Sequence, residues 1–114
     1  MKEIKTTRDA SLQQETNVAK ALGGHRTANS GATAFSKGDV IVGDCIVECK
    51  TKMTETNSFS VQKEWLDKLE KERQEMGKPA ASLAISFDVG KHNYYIINEK
   101  LMKMLLEVVN TKIE

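Results

Sequence analysis

Cysteine is scarce in this chain, neither sign of charge predominates, and no apolar run approaches the length of a membrane span. The two cysteines, Cys45 and Cys49, lie four residues apart in a stretch that reads as one strand. That spacing separates them by about 13 Å, beyond the reach of a disulfide. Neither has a second cysteine two residues away and no histidine stands at metal-ligand spacing, which argues against a zinc site. Both read as buried thiols in a reducing compartment. The charged start Met1-Lys2-Glu3-Ile4-Lys5 lacks a following apolar signal region, so the expectation is a cytoplasmic protein with no membrane attachment.

The net charge of +1 lacks the basic excess typical of nucleic-acid binding. Its distribution is less neutral. Residues 1 to 63 hold nine Lys or Arg against seven Asp or Glu, and residues 64 to 114 hold eight against nine. If three acids of the first half bind a cation, that half reads nine against four. Such asymmetry permits a basic face. The length of 114 residues suits one domain, and the chain has no internal repeat or low-complexity segment.

The most informative stretch runs from Lys37 to Thr51, two β-branched runs about Gly43-Asp44. A two-residue hairpin loop there sets Val42 opposite Cys45, Ile41 opposite Ile46 and Val40 opposite Val47. Asp39 then opposes Glu48, and Lys50 follows on the same face. Two carboxylates at about 5 Å repel by roughly 3 kcal/mol at an effective dielectric near 20. A hard divalent cation such as Mg²⁺, which takes one or two carboxylates and keeps several waters, would relieve that repulsion, and the lysine suits a phosphate. The alternative is a solvated strand end with ordinary surface charges. A one-residue slip in register would separate the two acids.

Around this hairpin the chain reads as helix, strands, helix, strands, helix. Residues 1 to 8 show no periodicity and read as a flexible segment preceding a single domain over 9 to 114. Asp9 or Ser11 caps a first helix, with Gln14 three residues after Ser11 as in a capping box, and Gly23-Gly24 end it. Leu12, Val18, Ala19 and Leu22 form its apolar stripe, and Glu15 falls inside it. A carboxylate there needs a partner or must snorkel to water. Residues 25 to 37 are small and polar and hold a short or bent strand leading into the hairpin. Arg26, Ser30 and Gly31 stand out there, because small residues and a hydroxyl let a phosphate approach. His25 and His92 read as surface or structural residues. An amphipathic helix spans about Ser60 to Met76, with Val61, Trp65, Leu69, Glu72 or Arg73, and Met76 inward. Trp65 reads as core, and Gln62 and Lys63 occupy a first turn that overhangs the hairpin end. Strands follow at 82–87 and 94–97, joined by a turn at Val89-Gly90-Lys91, then a helix from Glu99 to Val109. The expected class is α/β with a mixed sheet of four to five strands and helices on both faces.

Asp39, then Glu48-Cys49-Lys50, resembles the signature of the PD-(D/E)XK nuclease superfamily, with Gly38 in place of the proline. Within it the chain looks most like the small archaeal-type Holliday junction resolvases and their virus-encoded relatives, over roughly Ser11 to Asn98. Glu15 matches their first-helix glutamate. Arg26 and Ser30-Gly31-Ala32 look like the segment before their aspartate, and Gln62 is similar to a polar residue of their second helix.

The resemblance implies a restriction-endonuclease-like core. Glu15, Asp39, Glu48 and the carbonyl of Cys49 would bind Mg²⁺, with Mn²⁺ able to substitute, and Lys50 would orient the attacking water or stabilise the transition state. Arg26, Ser30, Gly31, Lys37, Lys52, Gln62 and Lys63 would bind DNA. The expected activity is cleavage of branched DNA, four-way junctions above all, by a homodimer that supplies two matched cuts, in the host cytoplasm if a virus encodes it. A nuclease for nicked, flapped or linear DNA and a non-catalytic nucleic-acid adaptor are the competing readings.

Overall fold

Glycine at the first loop position lets the central hairpin close. Gly43 takes a φ of 55°, and β2 (Val40–Val42) folds back on β3 (Cys45–Thr51) in the expected register, Val40 to Val47, Ile41 to Ile46 and Val42 to Cys45. The computed structural model describes residues 6–27 and 39–113. Ser30, Gly31 and Lys37 lie outside them.

A two-residue strand, β1 (His25–Arg26), pairs antiparallel with β2. Beyond β3, the chain crosses over through α2 (Lys63–Glu75) and returns as β4 (Ala80–Ser86), parallel to β3 over seven residue pairs. β5 (Tyr94–Ile96) closes the sheet antiparallel to β4. The result is a five-stranded mixed sheet in the order β1-β2-β3-β4-β5. Alternation in β3 divides the core. Val47 faces α1 (Thr7–Leu22) in a cluster with Val18, Val40 and Ala84, and Ile46 faces α2 in a cluster with Leu69, Leu83 and Ile85. Helices therefore cover both faces, as the apolar residues on both sides of the hairpin require.

Several expected boundaries move. α1 starts inside the segment expected to be flexible, because Thr6 caps it. Thr6 Oγ1 accepts from Asp9 N–H and Asp9 returns a bond to the Thr6 N–H. Asp9 is thus the third residue of a capping box rather than its cap. The buried stripe of α1 is Ala10, Gln14, Glu15 and Val18, and Leu22 is exposed. Gly23 ends the helix in the left-handed conformation as expected. α2 begins at Lys63, with Gln62 as an N-cap that makes no side-chain bond. Val61 is consequently exposed.

The last helix, α3 (Glu99–Ile113), is four residues longer than expected. Its apolar side does not pack inward. Met102, Met104, Leu105, Leu106, Val108 and Val109 are each 43–54% exposed. Only the start of α3 approaches the body, where Lys100, Leu101 and Met104 line a shallow depression with Glu70 and Arg73 of α2. No helix among the described residues is long and apolar enough to cross a membrane.

Candidate active site at the open end of the hairpin

Asp39 immediately precedes β2, and its backbone joins both neighbouring strands. Its N–H donates to Val47 O at 3.0 Å, and its carbonyl accepts from Thr27 N–H at 3.1 Å. The side chain turns along β3, where Oδ2 accepts the Cys49 N–H at 2.8 Å. In a strand the N–H and C=O of one residue point to the same lateral side. The Cys49 carbonyl therefore opens toward Asp39 as well.

Glu48 reaches the same place from β3. Its carboxyl comes close enough to that of Asp39 for the Asp39 charge and side chain to raise the Glu48 pKa. Burial, the Asp39 charge and bond, and the charge of Glu72 on α2 together push Glu48 up to about 8, and Lys50 offsets this only in part. The two acids expected to face each other are thus close together.

Glu15 approaches from the α1 side. It is 8% exposed, and burial followed by the nearby Asp39 raises its pKa, while Arg26 lowers it. Arg26 Nε lies 3.4 Å from Glu15 Oε1. The residue expected to touch DNA therefore partners the helix carboxylate. Cys49 packs on this face, its thiol held in the neutral form by burial and by the charges of Asp39, Glu15 and Glu48. These three acids surround one backbone position. Even so, among the described residues no group of three or more His, Cys, Asp or Glu side chains is arranged to hold a metal ion. The hard oxygen pair of Asp39 and Glu48 suits Mg²⁺, which needs one or two carboxylates. Glu15 stands one partner away.

Lys50 lies two residues from Glu48 on the α2 face. Its Nζ sits 4.8 Å from the centroid of the Trp65 ring, so the tryptophan read as core also seats the lysine. Lys52 likewise lies over Phe59 at 5.3 Å. Gln62 is exposed, and Lys63 pairs with Asp67 one turn along α2 at 3.0 Å.

Gln14 forms no capping box with Ser11, since Thr6 and Asp9 make the cap. It is fully buried, and its Nε2 donates to Lys50 O at 2.9 Å, Ala84 O at 3.2 Å and Asn93 Oδ1 at 3.0 Å. It fastens α1 to the strand end that carries Lys50. Gly90 makes this possible, since a Cβ there would fall 2.6 Å from the Gln14 Cα. The available signal was a polar residue at an apolar position of the series Ala10, Gln14, Val18.

Set against known proteins, the chain matches no family model, no curated protein and no solved structure.

Proposed function

We propose that this chain is a metal-dependent nuclease of the PD-(D/E)XK type with a restriction-endonuclease-like core. More specifically, it is a structure-selective endodeoxyribonuclease that resolves four-way junctions as a homodimer. The carrying observation is the Asp39–Glu48 pair, two acids brought together beside Lys50, where burial and the Asp39 charge raise Glu48 to about 8. Supporting it is the order of elements: a glutamate-bearing helix, an antiparallel hairpin with its acids at the open end, a crossover helix and a parallel strand.

Mg²⁺, or Mn²⁺ in its place, would be held by Asp39 and Glu48 with the Cys49 carbonyl, where it supplies positive charge and acidifies water. The chain's own residues do the rest. The Cys49 N–H fixes the Asp39 carboxylate, and Gln14 anchors the Lys50 backbone. The Lys50 ammonium is then free to leave Trp65 for a phosphate oxygen, as a point charge on a flexible stem. Arg26 exchanges Glu15 for a DNA phosphate, a bidentate partner it favours, and the released Glu15 carboxylate joins the other two.

α3 supplies the dimer surface. Its six exposed apolar side chains leave open about 500 Å² per chain, at the upper end of what monomers expose. Two such faces joined bury about 1,000 Å², the lower bound for a specific interface. A Leu105→Glu, Val109→Glu variant is expected to be monomeric by light scattering and to nick junctions on one strand without paired cuts.

Cleavage of an end-labelled four-way junction in Mg²⁺, beside a linear duplex of the same length, tests the function. Paired cuts in the junction with the duplex intact are expected. Equal rates on both assign the chain to nicked, flapped or linear DNA, and no cleavage of either by the wild type leaves a non-catalytic adaptor.

A further inference from the structure

Four of the chain's six aromatic residues form one edge-to-face chain on the sheet face that α2 covers. Trp65 and Phe59 have centroids 6.3 Å apart at 73°, Phe59 and Phe87 are 6.0 Å apart at 77°, and Phe87 and Tyr94 are 6.0 Å apart at 81°. Two ammonium groups ride on it, Lys50 over Trp65 at 4.8 Å and Lys52 over Phe59 at 5.3 Å.

Strand register ties this chain of rings to the carboxylate pair. Glu48 pairs with Leu83 and Leu83 with Ile96, while in the next row Lys50 pairs with Ile85 and Ile85 with Tyr94. Strands lie about 4.8 Å apart, so Tyr94 stands about 10 Å from Lys50 along that row. The other three rings are half-buried in the core rim, but Tyr94 is 62% exposed on a three-residue edge strand. With Phe87 as its one ring neighbour among the described residues, it contributes little to packing. What it offers is an open aromatic surface at one end of a row of rings that carries two cations, and unpaired bases stack on such surfaces while cations hold their phosphates.

We infer that Tyr94 is a stacking platform for a base that lacks a stacking neighbour, with Lys50 and Lys52 receiving the phosphates beside it. This rests on the nucleic-acid reading above and narrows it. Bases inside an intact duplex are already stacked on both sides, so the platform favours DNA whose continuity is broken, at a branch point, a flap or a gap.

The test compares wild type, Tyr94→Ala and Tyr94→Phe, with circular dichroism to verify folding. Ca²⁺ replaces Mg²⁺ to prevent cleavage. Binding is measured by fluorescence anisotropy to an intact duplex, to a four-way junction, and to a duplex with a short gap carrying 2-aminopurine. Wild type is expected to prefer the gap and the junction and to quench the 2-aminopurine. Tyr94→Ala should lose about ten-fold in affinity for the gap, together with the quenching, while its duplex affinity stays within about two-fold, and Tyr94→Phe should behave as wild type. Equal gap binding by Tyr94→Ala, an equal loss on the duplex, or loss in Tyr94→Phe overturns the platform. If wild type binds and cuts DNA while Tyr94→Ala is unaffected, the platform alone fails. If wild type binds no DNA, the platform and the nuclease reading fall together.

Discussion

Glu48 lies midway along β3 and Asp88 just past the end of β4, and the surroundings of these two carboxylates are opposite. Asp88 has partners for both oxygens. Ser86 Oγ donates to Oδ1 at 2.9 Å, the His92 N–H donates to Oδ1 at 3.0 Å, and the His92 ring meets Oδ2. Those bonds, the His92 ring first, hold Asp88 down at about 2. Glu48 meets another acid and burial instead, and rises to about 8. Asp88 closes a turn in which Val89 has a positive φ of 62° and Gly90 seats Gln14. A carboxylate so supplied serves the fold, whereas the proposed function gives the one left in need of charge a ligand.

The contrast can be broken most severely at the needy pair. Glu48→Gln or Asp39→Asn should lower junction cleavage by more than about a hundred-fold, since even supporting residues of metal sites cost ten- to a hundred-fold. The same variants should melt higher than wild type in EDTA at pH 8, because each removes one of the opposed charges. Lower melting would place the pair among the structural acids.

Gln14→Leu comes next. It strips three acceptors of one buried donor, and a loss of about 3 kcal/mol in stability by urea titration is expected, within the range for unsatisfied buried groups. Activity per folded molecule should fall too, since Lys50 loses its backbone anchor.

Proton linkage sharpens the comparison further. The folded pKa of Glu48 lies above the unfolded value near 4.3. Its contribution to stability is therefore complete below about pH 4 and is lost as pH rises through about 8. Metal-free protein should lose stability between pH 5 and 8, by at most about 1.4 kcal/mol per unit, and Glu48→Gln should flatten the profile. Asp88 has the reverse sign. Its contribution is present above about pH 4 and is lost as pH falls toward 2. Asp88→Ala should cost about 1 kcal/mol, the smallest of these effects, and leave cleavage unchanged.

Much of this was legible because the central hairpin is locally determined. Gly43-Asp44 sets its register, which divides Ile46 from Val47, and Asp39, just outside β2, bonds Val47 O and reaches Glu48. Glu15 was legible as an acid in an apolar stripe. Less visible was whatever depends on contacts distant in sequence. Arg26 was assigned to DNA, yet β1 places it beside Glu15. Gln14 bridges 36 residues to Lys50 and 79 to Asn93, and no local pattern encodes such a bond. Spacing sets Leu101, Met102, Leu105, Val108 and Val109 on one side of α3, but periodicity cannot tell a face that packs inward from one left open. Trp65 illustrates the same limit, since its inward position was clear and the lysine resting on it was not.

If Asp39 and Glu48 take up a divalent cation as proposed, the proton that Glu48 holds below about pH 8 must leave. Calorimetric titration of Mg²⁺ into the metal-free protein at pH 7, in buffers of different ionisation enthalpy, measures this directly. Binding that releases about one proton per site in wild type and none in Glu48→Gln is the predicted result. Absence of Mg²⁺ binding, or binding that Glu48→Gln leaves unaltered, would contradict it.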